Sequence, residues 1–212
     1  DGKGNWKHDV PKEYECKAAQ YGAACSPLLA GDLVVVNSGP VFAFNRKSGK
    51  LAWKVGSDMA GHSSPALLKL GGRDQIVSFN GDAVLGIGPT SGKLLWRHSY
   101  PTTYEDPYGY NNGPRCAPLL TEDRCYTFGA EGVLLCLDLK TGKPIWRRDT
   151  QKDFKVNANF FGVGSTPVLE NGLLITMVGA QPNSGVVAFD AKTGKTVWES
   201  VGGKTWDKTP KL

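Results

Sequence analysis

Five cysteines (Cys16, Cys25, Cys116, Cys125, Cys136) and three scattered histidines (His8, His62, His98) are the residues of this 212-residue chain best suited to metal or redox chemistry. No spacing among them suits a zinc site. There is no Gly-x-Ser-x-Gly nucleophile turn and no phosphate loop. Gly162-Val163-Gly164-Ser165-Thr166-Pro167 is glycine-rich but leads into a strand, so it is not a nucleotide cradle at a helix N-terminus. No catalytic residue and no metal ligand set is therefore assigned. Cys125 and Cys136 carry the sharper expectation. If Gly129 to Gly132 is a hairpin turn, Phe128 pairs with Val133 and Cys125 with Cys136. That register allows a cross-strand disulfide, and equally a reduced, buried pair.

The elements that position these residues come from a stretch repeated four times. One copy is Leu135-Cys136-Leu137-Asp138-Leu139-Lys140-Thr141-Gly142-Lys143-Pro144-Ile145-Trp146, and the others end at Trp53, Trp96 and Trp198. Each reads as a strand, a tight turn and a second strand carrying Trp. Asn45, Asp138 and Asp190 can bond the backbone ahead of them and hold the turn. Gly49, Gly92, Gly142 and Gly194 supply a positive φ. The Trp lies four residues past the Gly in every copy, and Trp6 ends a stub of a fifth. Trp6, Trp53, Trp96, Trp146 and Trp198 recur every 43 to 52 residues, a period typical of a β-propeller. A second element, two small residues and then Pro, recurs at Pro27, Pro65, Pro118 and Pro167. Pro is tolerated at the start of a strand.

The expected fold is all-β: a propeller of four-stranded blades at roughly 23–55, 62–98, 115–148 and 164–200, with 1–6 ending a preceding blade and the whole of 1–212 one propeller segment. Residues 7–22 read as polar and irregular, and 99–115 and 150–164 as long inserts. Strands such as Leu33–Val36 and Leu173–Ile175 are apolar on successive residues, as in a sheet covered on both faces. Four open blades would leave two apolar faces bare. Either the parent has more blades or the segment closes on itself; Trp6, lacking a partner strand, favours the first. No apolar run reaches 18 residues, so no transmembrane helix is expected. The net charge is +5. Lys47, Lys50, Lys93, Lys140, Lys143, Lys192 and Lys195 fall on the repeated turns, where they keep a rim solvated. An anionic partner is the sharper reading, but no arginine cluster with interleaved aromatics points to nucleic acid.

Ala188, Asp190, Thr193, Gly194 and Trp198 resemble the PQQ-like (quinoprotein-type) propeller repeat, Ala-x-Asp-x-x-Thr-Gly-x-x-x-Trp. Asp138, Thr141, Gly142 and Trp146 match it with Cys136 in the Ala place. Ala43, Ser48, Gly49 and Trp53 match with Asn45 for Asp. The second copy departs furthest, with Gly86, Gly88 and Pro89. The resemblance implies Trp side chains docked between blades, a parent of six to eight blades, and an exported, periplasmic setting.

In such a propeller the inserts end at the mouth of a central channel. Counting back three from each recurring Pro gives Ala24, His62, Arg115 and Gly164 at its rim, with Tyr21, Asn112, Asn159, Phe160 and Phe161 nearby. Tyr21, His62, Asn112, Arg115, Asn159, Phe160 and Phe161 are the candidate binding residues. The favoured function is a non-catalytic scaffold that holds a protein or small ligand at the propeller face and needs no cofactor. The alternative is a dehydrogenase using PQQ and calcium to oxidise an alcohol or sugar. That reading implies an adjacent Cys-Cys pair, an Asp base and calcium held by Glu and Asn, none of which is evident here. A sensor ectodomain of a larger protein is the third reading.

Overall fold

The computed structural model describes residues 3–16, 24–56, 61–69, 74–81, 83–109, 112–156, 162–180 and 184–200. Among these residues sixteen strands form four four-stranded antiparallel meanders. Blade 1 holds β1 (Leu28–Ala30), β2 (Leu33–Asn37), β3 (Val41–Asn45) and β4 (Leu51–Val55). Blade 2 holds β5 (Ala66–Leu68), β6 (Gln75–Phe79), β7 (Ala83–Ile87) and β8 (Leu94–Ser99). Blade 3 holds β9 (Leu119–Leu120), β10 (Arg124–Phe128), β11 (Val133–Asp138) and β12 (Pro144–Asp149). Blade 4 holds β13 (Val168–Glu170), β14 (Leu173–Ala180), β15 (Ser184–Asp190) and β16 (Thr196–Ser200). This is the expected propeller arrangement.

The repeated turn forms as its sequence dictates. The Asn45, Asp138 and Asp190 side chains accept from the backbone N–H of Ser48 (2.9 Å), Thr141 (2.8 Å) and Thr193 (2.8 Å). The Thr141 and Thr193 hydroxyls donate to the same carboxylates and hold them below the usual carboxylate range. Gly88 has no such side chain, and the second turn closes through Gly92 N–H to the Gly88 carbonyl at 2.9 Å. Beyond each turn the ladder slips by one residue beside the Trp. A small residue, Ala43, Gly86, Cys136 or Ala188, then lies opposite the indole.

Trp6, Trp53, Trp96 and Trp146 each reach the turn of the next unit. A Cβ on Gly49 would lie 2.7 Å from Trp6 Cγ, one on Gly92 2.6 Å from Trp53 Cγ, and one on Gly194 2.7 Å from Trp146 Cδ2. Gly142 meets Trp96 in the same way. Each indole N–H donates to the carbonyl three residues before that Gly: Arg46 (2.9 Å), Pro89 (3.1 Å), Leu139 (2.8 Å) and Ala191 (3.0 Å). The missing side chain lets the ring lie flat on the turn, and the positive φ turns the carbonyl path under it.

Apolar residues on both strand faces make three continuous cores. Val35, Val41 and Trp53 of blade 1 meet Ile76, Leu85 and Ile87 of blade 2. Val77, Phe79 and Trp96 meet Cys125, Leu135 and Leu137 of blade 3. Tyr126, Phe128, Leu134 and Cys136 meet Leu174, Val187 and Phe189 of blade 4. The outer face of blade 1 is covered by the N-terminal segment, where Trp6, Val10, Tyr14 and Cys16 pack on Phe42 and Phe44.

The structure departs from the sequence expectations at three places. The hairpin register pairs Phe128 with Leu134, Cys125 with Leu137 and Tyr126 with Cys136. Gly132, at φ +86°, adds one residue to the turn, and a one-residue slip sends a side chain to the opposite face. Cys125 therefore faces blade 2 and Cys136 blade 4. Both are free and buried, so no disulfide joins them. The second departure is α1 (Val10–Glu13), a single turn within the segment expected to be irregular. Its N-cap is Asp9, which accepts from Lys12 N–H. The third is α2 (Thr150–Phe154), at the head of the 150–164 insert and capped by Asp149.

Candidate functional site at the loop end

The blades have two unlike ends. The Gly turns form one, and Lys47, Lys50, Lys93, Lys140, Lys143, Lys192 and Lys195 stand exposed there. The other end carries the starts of β1, β5, β9 and β13 and the connections between blades. Ala24, His62, Arg115 and Gly164 take equivalent places just before those inner strands.

The structure brings His62, Arg115 and Asn112 together. His62 N–H donates to the Pro114 carbonyl at 2.8 Å. Gly61 lies so close to Pro114 that a Cβ would stand 2.9 Å from its Cδ. Arg115 Nη2 meets Asp106 Oδ2 at 3.0 Å, with side chains only 16% and 1% exposed. The same guanidinium donates to Tyr104 Oη (3.3 Å) and the Gly113 carbonyl (3.0 Å), and lies 5.1 Å from the Tyr104 ring centre. Asn112 Oδ1 accepts from Asp106 N–H at 2.8 Å, and Asp106 Oδ1 accepts from Tyr108 N–H at 2.9 Å. The insert is folded around one buried ion pair. Asp106 and Tyr104 were not among the expected site residues. The available signal was Asp106-Pro107-Tyr108-Gly109, a turn sequence whose Asp bonds the backbone two residues on.

A second contact ties the two inserts together. Val163 N–H donates to the Ala130 carbonyl at 2.9 Å, and Thr102 Oγ1 to Glu131 Oε2 at 3.3 Å. A Cβ on Gly162 would lie 2.6 Å from that carbonyl and 3.0 Å from Tyr104 Cζ. Burial and the Glu131 carboxylate push the Tyr100 phenol well up, so it stays protonated.

Electrostatics keep the rim imidazole neutral. Burial lowers the His62 pKa, and the Arg115 charge lowers it further against the opposing pull of Asp106. His62 Nε2, Ser63 Oγ and Asn37 Oδ1 are buried and have no partner among the described residues. Asn37 and Ser63 lie together, because Asn37 Nδ2 donates to the Ser63 carbonyl at 3.3 Å, and His62 precedes Ser63 in the chain. Ser63 and Asn37 are almost wholly buried. Buried polar atoms are rarely left unpaired, so this trio is the part of the rim suited to receive water or a ligand group. Cys25, equivalent to Ser63, instead exchanges bonds with the Asn37 backbone, donating at 3.1 Å and accepting at 3.3 Å. A cleft of about 420 Å³ opens beside Cys25 and Asn37, bounded on its far side by His8, Val10 and Pro11. Tyr21, Asn159, Phe160 and Phe161 lie outside the described residues.

Asp106 is bonded to Arg115 and the loop backbone, and Glu131 Oε2 accepts from Thr102, while Glu131 Oε1 is buried with no partner among the described residues. No group of three or more His, Cys, Asp or Glu is placed to hold a metal among the described residues. No helix among them is long and apolar enough to cross a membrane.

Comparison with known proteins adds the family. The sequence profile described as outer membrane protein assembly factor BamB matches residues 1–108 and 109–209. BamB of Burkholderia pseudomallei is 26% identical over 208 residues, which is 94% of this chain and 48% of that protein. A polyvinylalcohol dehydrogenase of Pseudomonas sp. is 27% identical over 213 residues, 80% of this chain and 33% of that protein. The crystal structure of BamB from Moraxella catarrhalis shares the fold, with a TM-score of 0.52 at 19% identity over 82% of this chain and 62% of that one. The chain thus spans less than half the length of these two sequence relatives.

Proposed function

Because the chain belongs to the outer membrane protein assembly factor BamB family, we propose that it is a non-catalytic recognition propeller, exported to the periplasm, that holds a protein or small ligand at its loop end. One observation carries this reading: the Arg115 and Asp106 charges at the rim are paired with each other, and neutral hydrogen-bonding atoms at His62, Ser63 and Asn37 are left over. Arg115 is paired with Asp106, while His62 Nε2, Ser63 Oγ and Asn37 Oδ1 remain unpartnered. Neutral donors and acceptors in a buried setting read shape and hydrogen-bond pattern. They do not supply the proton donor and acceptor pair that acid–base catalysis needs. The small hydroxyl of Ser63 and the neutral ring of His62 suit a peptide or amide-like group.

The likeness to polyvinylalcohol dehydrogenase favours a second reading, oxidation of an alcohol with PQQ and calcium. Against it stand the pairing of Asp106 with Arg115 and the opposite facing of Cys125 and Cys136. Titration of PQQ with calcium, followed by tryptophan emission of the intact protein, separates the two. The recognition reading expects no saturable quenching. Saturable quenching at micromolar PQQ that depends on calcium overturns it.

A further inference from the structure

We propose that the outer margin of blades 2 and 3, at the Gly end, docks on an anionic lipid surface. Two kinds of exposed residue recur there. The lysine after each turn glycine, Lys50, Lys93, Lys143 or Lys195, stands in solvent. The two residues after it open the outermost strand, and in every blade at least one of them is a large apolar side chain left exposed, except that blade 3 also carries Pro144. Leu51, Leu94, Leu95, Ile145 and Val197 are five of the ten exposed large hydrophobic side chains among the described residues. A single exposed Leu needs no explanation, but recurrence at one height of the disc does. A second base follows the Trp in three blades, as Lys54, Arg97 and Arg147, where blade 4 has Glu199. Blades 2 and 3 therefore carry the densest pattern. Leu94 (42% exposed) and Leu95 (47%) lie between Lys93 and Arg97, and Ile145 (45%) lies between Lys143 and Arg147.

Charge complementarity names the occupant. The Gly end is divided by strand order. The turns between the third and fourth strands hold the lysines, whereas Asp32, Asp74, Glu122, Asp123 and Glu170 sit at the turns between the first and second. Asp32 lies 3.8 Å from Arg46, and Asp123 3.5 Å from Arg124. Asp138 and Asp190 are tied into their own turns. A negative surface is thus drawn to the outer margin and held off the inner strands. Lysine stems and short apolar side chains in alternation suit a headgroup layer, with the ammonium groups at phosphates and Leu and Ile at the acyl boundary. The units are nearly identical, so they match a partner that is itself laterally uniform, as a lipid surface is. β8 and β12 end their sheets with an open edge. Unpaired backbone does not enter hydrocarbon, so the contact stays interfacial.

The test is cosedimentation of the full chain, at low salt, with vesicles of phosphatidylcholine and phosphatidylglycerol in a two-to-one ratio, against phosphatidylcholine alone. Binding should occur on the mixed vesicles only and fade as salt rises. Lys93→Gln with Lys143→Gln should weaken it about 25-fold, at about fivefold for each lysine. Lys152→Gln with Lys155→Gln removes the same charge at the loop end and should change it less than about twofold. Leu95→Trp should gain an emission quenched by bromine-labelled acyl chains, beyond any quenching of the parent. Three outcomes overturn the proposal. The first is no binding to the mixed vesicles, or equal binding to phosphatidylcholine alone. The second is an equal loss in the two double variants, which means diffuse attraction without a docking margin. The third is binding of heparin as tight as that of vesicles with no added quenching in Leu95→Trp, which makes a soluble polyanion the partner. The readout does not involve His62, Ser63 or Asn37, so it stands apart from the recognition reading.

Discussion

Replacing Gly142 by Ala tests whether the indole-on-glycine contact holds neighbouring blades together. A Cβ at this position would lie 2.8 Å from Trp96 Cδ2 and nearer still to Cε3, so the ring must move. Two costs follow. The first is backbone: Gly142 has φ +68°, and an L side chain in that region costs about 1–2 kcal/mol. The second is the contact. Displacing Trp96 breaks the 2.8 Å bond from its Nε1 to the Leu139 carbonyl, worth about 1 kcal/mol. It also lifts part of an indole that is 6% exposed, worth about 1–2 kcal/mol. The sum is about 3–5 kcal/mol. Gly172→Ala is the control: Gly172 has φ +79° and no heavy atom within 4 Å of its missing Cβ, so it carries only the backbone cost. The difference between the two variants should be about 2–3 kcal/mol. Urea unfolding followed by far-UV dichroism measures both midpoints in parallel. If the two variants shift the midpoint equally, the contact contributes nothing and the reasoning fails.

Five further outcomes are expected. Arg115→Ala leaves the Asp106 carboxylate, only 1% exposed, without its cation and should cost about 3–5 kcal/mol; urea midpoints should show Arg115→Ala with Asp106→Asn less damaging than Arg115→Ala alone. Gln75→Leu removes the bonds from Gln75 Nε2 to Leu139 (2.9 Å) and from Trp96 Nε1 to Gln75 Oε1 (3.0 Å), and should cost about 1–3 kcal/mol, read in the same melts. His8 is raised above 6.5 by its bonds to Glu13 and the Gly49 carbonyl, so its contribution is complete below pH 6.5 and is lost as pH rises through the raised value; amide protection factors in residues 8–14, corrected for intrinsic exchange at each pH, should fall across that range, and in His8→Gln they should not change with pH. Thiol counting on unfolded protein without reductant should give five, matching five free cysteines. In the folded state Cys116 and Cys136, pushed up by burial to about 12 and about 11, should resist alkylation at pH 8.

The blades were legible because their determinants are local. An Asx residue, a small hydroxyl residue, a Gly and a Trp at fixed offsets specify a turn and its receiving surface, and four copies overdetermine the period. The Cys125–Cys136 register was not legible, because it depends on whether Gly132 adds one residue to the turn, and either choice leaves an apolar face on both sides. The helix α2 was hidden by its length: five residues carry no periodicity, and only the Asp149 cap marks it. At the loop end, counting back from the recurring Pro picked out His62 and Arg115 as equivalent positions, and the fold sets His62 N–H on the Pro114 carbonyl next to Arg115. The partner that fixes Arg115 lies nine residues away inside a long insert, where no spacing rule reaches.

The two ends of the propeller are under different physical constraints, and that difference argues for where recognition occurs. Every turn at the Gly end must present a bare Cα and an open carbonyl to the preceding Trp, so its chemistry is nearly fixed from unit to unit. The loop end carries no such duty. Its four equivalent positions are Ala24, His62, Arg115 and Gly164, with a methyl group, an imidazole, a guanidinium and a bare backbone in succession. Likewise Cys25, Ser63, Cys116 and Ser165 follow them, and only Ser63 is left without a bond partner among the described residues. A surface whose equivalent positions differ this much can distinguish one partner from another, whereas a rim of identical lysine-flanked turns cannot. Ser63→Ala should therefore leave the urea midpoint within about 1 kcal/mol of the parent, because Ser63 Oγ has no bond to lose among the described residues. A larger loss of stability in this variant would mean that the hydroxyl serves the fold and not a ligand.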